Sequence, residues 1–140
     1  MPNRKLDAVI STVPLFEALS KRHLKQIAAL TSSVEYDAGD TVIREGEPGD
    51  AFFVTVEGQA KVVVRGKTVH RLIPGDHFGE ISLLDGGTRS ATVVAETPLS
   101  VLRLNRAPFL KMVREDADLA RALLASLARM VRRVDRSLGR

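Results

Sequence analysis

The sequence predicts an α+β fold, a β-roll flanked by an N-terminal helical segment and two C-terminal helices. Three observations carry that prediction. From Val34 to Leu104, short β-branched runs are punctuated by glycines at 39, 46, 49, 58, 66 and 75, the texture of a small sandwich or barrel. Before that stretch, Leu15, Phe16, Leu19, Leu24, Ile27 and Leu30 recur at helical spacing. After Leu104 the helical period returns and continues to the end of the sequence.

The first helical segment, residues 1–32, is interrupted by Ser20 and Lys21-Arg22, so two short helices joined by a turn are expected. In the roll, residues 33–104, the runs Thr41-Val42-Ile43, Phe52 to Val56 and Lys61 to Val64 read as strands. Alternation over Gln59–Arg65 puts Ala60, Val62 and Val64 on one face and Lys61 and Arg65 on the other. Val63 breaks the polar face, so packing outside the barrel is expected there. Arg65-Gly66-Lys67 has the composition of a hairpin tip. In residues 105–140, Asn105 is an N-cap candidate with Pro108 in the first turn. Asp116 is a second cap candidate, for a long final helix with an apolar stripe of Ala120, Leu123, Leu124, Leu127, Val131, Val134 and Leu138. That stripe exceeds five turns, more than one small roll needs.

At 140 residues the chain reads as a single domain, able to bury a core without disulfides or metals. Its composition, 44% hydrophobic and 27% charged, argues against wholesale disorder. The absence of cysteine excludes a disulfide framework and a thiol nucleophile. No run approaches the roughly 18 apolar residues of a membrane span, and the N-terminus lacks a signal-peptide core; a cytoplasmic address is expected. The net charge of +4 resides in the tail. Residues 1–128 balance 16 basic against 16 acidic side chains, whereas 129–140 hold five arginines against Asp135 alone. Such a tail is either a solvated helical face or a contact for nucleic acid or an acidic partner.

The stretch Gly75–Ala95, GDHFGEISLLDGGTRSATVVA, is the most informative. Glu80 stands at the start of a short helical turn, and Arg89 follows the Gly86-Gly87 turn. A helix N-terminus offers unpaired N–H groups and the positive end of a dipole, which suit phosphate. Arg89 adds a planar fork of donors. Ionised Glu80 can only accept, so it suits a sugar hydroxyl and would repel the phosphate. Together they can read the two ends of a sugar phosphate.

Phe78-Gly79-Glu80-Ile81-Ser82-Leu83-Leu84 followed by Thr88-Arg89-Ser90-Ala91-Thr92 resembles the phosphate-binding cassette of the cyclic nucleotide-binding domain family. That family includes catabolite-activator-type regulators, cyclic-AMP-dependent kinase regulatory subunits and cyclic-nucleotide-gated channels. Val13-Pro14-Leu15-Phe16, Gly46-Glu47-Pro48-Gly49-Asp50, Val56-Glu57-Gly58 and Pro74-Gly75-Asp76 extend the likeness over almost the whole chain. The resemblance implies an eight-stranded roll of the double-stranded β-helix or jelly-roll kind, with the cassette at 75–91. It implies Glu80 on the ribose 2′-hydroxyl, Arg89 on the cyclic phosphate, and a ligand site of Gly79, Glu80, Ile81, Ser82, Arg89, Ser90 and Ala91. Walls around base and ribose would come from Val62, Val64, Leu72 and Phe78, with Ile73 and Ala91 as further apolar candidates. The adenine lid would come from the final helix, among Arg129, Arg132, Arg133 and Asp135. A Thr directly after the cassette arginine favours guanine in this family; Ser90 stands there, which points to cyclic AMP over cyclic GMP. No enzyme activity and no cofactor beyond the nucleotide ligand is expected. The absence of cysteine also excludes the iron–sulfur sensing of some relatives. The final helix is expected to serve as a moving element, a protein contact or the seam of a weak homodimer. No helix-turn-helix follows it in this sequence, so the chain reads as a free-standing sensor or as the sensor part of a longer regulator, channel or enzyme.

Other chemistries fit worse. A cupin-type metalloenzyme also uses a small barrel but needs clustered imidazoles. His23, His70 and His77 have neither His-x-His nor His-x-x-x-His spacing. Ser82 and Ser90 lack a Gly-x-Ser-x-Gly elbow and an evident base. A mutual ion pair between Glu80 and Arg89 would be the plain structural alternative, yet it would not require the glycines around it.

Overall fold

A computed structural model describes residues 4–139, and Arg140 of the basic tail lies outside them. Two compact units emerge. Residues 31–107 form one, and the helices before and after them in the chain form the other.

The first unit is the expected roll. Eight strands, all paired antiparallel, form two four-stranded sheets. One has the order β1 (Thr31–Tyr36), β8 (Leu99–Asn105), β3 (Ala51–Glu57), β6 (His77–Phe78). The other has the order β2 (Thr41–Ile43), β7 (Thr92–Ala95), β4 (Ala60–Val64), β5 (Lys67–Leu72). A core of Ala51, Phe53, Ala60, Leu72, Val93, Ala95, Leu99 and Val101 draws on both sheets. Ala51 and Phe53 of β3 face this core, and because Phe52, Val54 and Thr55 are buried as well, β3 is covered on both faces from Ala51 to Thr55. Between β6 and β7 lies α3 (Glu80–Asp85).

The hairpin at Arg65-Gly66 joins Val64 to Lys67 in a two-residue loop, and Arg65 has φ 51°. Positive φ in such a loop matches the strand twist. Farther along the ladder, Val62 faces His70 while Val63 faces Thr68. Val69 is therefore an extra residue in β5, a bulge, and its side chain is exposed. Val63, at the break in alternation, is half-buried as its apolar character suggested.

The helical unit contains α1 (Arg4–Ser11), a 3₁₀ turn at Pro14–Phe16, α2 (Lys21–Leu30), α4 (Arg106–Glu115, of which Pro108 onward belongs here) and α5 (Ala117–Ser137). The expected break is present at 17–20, but Lys21 and Arg22, read as part of it, open α2 instead. Asp116 caps α5, its Oδ1 accepting from Leu119 N–H at 3.1 Å. Asn105 precedes α4, but its amide oxygen accepts from Arg103 Nε instead. Ile10, Leu15, Phe16, Ile27, Phe109 and Leu119 are fully buried, and the Phe16 and Phe109 rings lie 6.3 Å apart. Ser126, absent from the predicted stripe, is also buried and accepts from Ala18 N–H at 2.9 Å. Leu124, Val131, Val134 and Leu138 stay exposed. No helix among the described residues is long and apolar enough to cross a membrane.

Candidate functional site

A cavity of about 330 Å³ opens in the roll, within the usual range of roughly 300–1,000 Å³ for small-molecule sites. All seven predicted ligand residues, Gly79, Glu80, Ile81, Ser82, Arg89, Ser90 and Ala91, line it. Sheet pairing supplies its apolar side: Ile43, Val93 and Val62 stand abreast on β2, β7 and β4. Phe78 joins them, stacked on Phe53 with ring centroids 4.9 Å apart.

Two predicted wall residues lie elsewhere. Leu72 pairs with Ala60, in the row Leu72–Ala60–Ala95, and is packed into the core. Val64 shares a face with Val62 but lies beyond the last β4–β7 pair, Val63–Thr92, at the hairpin end. Ile73 is half exposed and likewise outside the lining. Ile43 and Val93 were missed because no local signal marks them; only the register of β2 on β7 brings them to the site.

Arg89 is the electrostatic centre. It is 6% exposed, and its Nη2 donates to the Ala51 carbonyl at 2.7 Å. Nη1 is buried and has no hydrogen-bond partner among the described residues. Burial holds the guanidinium pKa below its ordinary value, the Asp50 carboxylate opposes that shift, and Arg103 adds to it. An arginine so placed still carries its charge at neutral pH. Its backbone is fixed on both sides, N–H to Glu47 O and C=O from Gly46 N–H, each at 2.8 Å.

Space for that side chain depends on two glycines. A Cβ on Gly79, whose φ is 89°, would sit 2.6 Å from Arg89 Nη1. A Cβ on Gly49 would sit 2.3 Å from Ser82 Cβ and 2.9 Å from Arg89 Cζ. The Gly46–Asp50 turn therefore also shapes the arginine's seat.

Glu80 opens α3 and does not pair with Arg89. Its Oε2 lies 3.4 Å from His77 Nδ1 without a hydrogen bond, and both atoms are buried. The first helical bond is Leu83 N–H to Gly79 O, so the N–H groups of Ile81 and Ser82 precede the intrahelical ladder. Ser82 Oγ donates to Gly87 O at 3.2 Å, closing the cassette on itself. Thus a buried cation with an unused donor and a carboxylate with an unused acceptor border one cavity. Those are the complements of an anion and a hydroxyl.

The proposed lid residues belong to α5 in the helical unit. There Arg129 and Arg133 reach Glu17 at 3.5 and 3.1 Å, while Arg132 and Asp135 are exposed. His23 is buried in that unit with Nε2 3.0 Å from Asp116 Oδ2. His70 and His77 pair with Val62 and Val54 on different sheets, so register does not bring them together.

Comparison with known proteins gives a consistent picture. The family profile for the cyclic nucleotide-binding domain matches residues 33–116. A cAMP-dependent protein kinase regulatory subunit from Aspergillus fumigatus is 38% identical over 123 residues, covering 84% of this chain and 29% of that protein. The chain thus spans under a third of the length of the curated relatives it matches. The N-terminal domain of a transcriptional regulator from Streptomyces coelicolor superposes with a TM-score of 0.82 at 33% identity, covering 90% of this chain and 94% of that one. The catabolite activator protein of Thermus thermophilus gives 0.69 at 32% identity, covering 91% of this chain and 62% of that one.

Proposed function

This chain belongs to the cyclic nucleotide-binding domain family, and we propose that it is a sensor module whose ligand is cyclic AMP. The observation that carries the reading is the buried Nη1 of Arg89 beside Gly79, without a hydrogen-bond partner among the described residues. A cyclic phosphate monoanion supplies the missing acceptor, with the N–H groups around Ile81, Ser82 and Ser90 completing the cradle. Glu80 takes the ribose 2′-hydroxyl. The Ile43–Val93–Val62 row and Phe78 give the base and ribose an apolar wall.

Adenine over guanine is supported by Ser90 and by the name of the kinase regulatory subunits as cAMP-dependent. We assign no catalysis to the module and place it in the cytoplasm. Its output is a shift in the position of the last helices, with one of Arg129, Arg132, Arg133 or Asp135 closing over the base. Nucleotide drives that shift only by its differential affinity for the two positions.

Thermal unfolding with cyclic AMP, cyclic GMP and 5′-AMP tests the reading. At about a hundredfold excess over Kd, a ligand specific for the folded state adds ~2.7 kcal/mol, a rise of roughly 4–10 °C. The open, dianionic phosphate of 5′-AMP gives far less. Equal shifts with cyclic AMP and 5′-AMP refute the cyclic-phosphate assignment, and a larger shift with cyclic GMP reverses the base preference.

A further inference from the structure

We infer, building on the cyclic-nucleotide reading above, that Arg106 is the positioning residue through which a filled cassette redirects the last two helices. The last carbonyls of any helix lack intrahelical donors. In α3 two of them are bonded by one side chain: Arg106 Nε donates to Leu83 O and Nη2 to Leu84 O, each at 3.1 Å. A cation is favoured at this end of a helix, and only the planar fork of arginine can serve two carbonyls in fixed directions. The approach is close. A Cβ on Gly86 would lie 3.1 Å from Arg106 Cζ and 3.2 Å from its Nη1.

The backbone of the same residue has a second attachment. Arg106 N–H donates to Asp50 O at 2.8 Å, and the next carbonyl, Ala51 O, is the acceptor of Arg89 Nη2. Arg106 is therefore bonded both to the end of the cassette helix and to the strand start that holds Arg89. It is also the first residue of α4. If α3 shifts as a short rigid unit towards bound phosphate, the guanidinium goes with it, and the first turn of α4 follows. Arg106 is not among the residues that line the cavity, so its effect is on coupling.

Hydrogen exchange of the full chain, with and without saturating cyclic AMP, tests this in wild type, Arg106→Gln and Arg106→Lys. Wild type is expected to gain protection in residues 75–91 and in 108–138. Arg106→Gln keeps the first gain and loses most of the second, while its affinity by calorimetry falls about 2- to 30-fold, the usual size of a coupling effect. Arg106→Lys, with charge but a single donor centre, falls between. Should Arg106→Gln fail to fold by circular dichroism, Arg106→Lys carries the test through the same split between segments. Wild-type gains in both segments of the variants overturn the inference, as does an equal loss in both segments, which marks a merely structural role. A wild type with no gain in 75–91 overturns the cyclic-nucleotide reading itself, and this inference with it.

Discussion

Replacing Arg89 with alanine removes a buried cation that has one satisfied and one unsatisfied donor group, and the two halves of that description act in opposite directions. For binding, the phosphate loses its counter-charge in a desolvated site, a cost of about 2–5 kcal/mol. That corresponds to about 30- to several-thousand-fold in Kd. For the unliganded protein, losing the bond to Ala51 O costs about 1 kcal/mol, while relieving a buried, unpaired donor returns about 1–3 kcal/mol. The contact with the Phe53 ring, 5.8 Å from Cζ, is worth about 0.5–1 kcal/mol more. These terms nearly cancel, so the variant should melt within a few degrees of wild type while binding cyclic AMP far more weakly. Arg89→Lys keeps the charge but loses the planar fork that reaches Ala51 O and phosphate from separate nitrogens, so it should fall between. Titration calorimetry reads the first quantity and a circular dichroism melt the second. Wild-type affinity in a folded Arg89→Ala protein would refute the phosphate assignment.

The remaining expectations are smaller. Glu80→Ala should weaken cyclic AMP by ~1.5–3 kcal/mol, less than Arg89→Ala, because it loses a neutral hydroxyl; a reversed order by calorimetry would exchange the two roles. Thr55 is 1% exposed and its Oγ1 has no hydrogen-bond partner among the described residues, so Thr55→Val should leave the melting temperature unchanged or raise it. The Asp116 carboxyl is held below its ordinary pKa by the Leu119 N–H, against burial and with help from His23 and Arg22. Its stabilising effect is complete above the unfolded value of about 3.9 and fades as pH falls through the lower folded value. Asp116→Asn, still a good cap, should flatten the acid limb of the stability curve, and an unchanged limb would count against the pairing. If the exposed Leu124, Val131, Val134 and Leu138 seam self-associates, Arg129, Arg132, Arg133 and Arg136 repel across it. Sedimentation should then show a dimer strengthened by salt, as the screening length shortens from about 30 Å at 0.01 M to about 8 Å at 0.15 M.

Most of the cassette was legible because its information is local. Gly79, Glu80, Ser82 and Arg89 lie within one turn-rich stretch; donor and acceptor chemistry singles out Glu80 and Arg89 there, and the family resemblance supplies the others. The Asp116 cap and the break before Lys21 are local in the same sense. What sequence missed depends on register. Val64 alternates correctly with Val62, yet its strand outruns its β7 neighbour. Ile43 carries no mark of its own and reaches the site only by facing Val93. Asn105 has the chemistry of a cap, but Arg103, two residues back on the same strand, claims its oxygen. Gly49 is one of several glycines that punctuate the strands, and nothing local shows that a Cβ there would collide with Ser82, more than thirty residues away.

The extra residue at Val69 has a consequence for how copies of this protein meet one another in a crowded solution. β5 borders its sheet on one side only, and a straight, regular border of that kind invites a strand from a neighbour to add to it. The bulge kinks the border and puts its hydrogen-bonding groups out of step with any regular incoming strand. Lys67 and Arg71 at its two ends add like-charge repulsion between identical borders. A roll whose β5 is exposed from Lys67 to Arg71 thus remains unattached to its own copies, because one inserted valine spoils the template that the rest of the strand would offer.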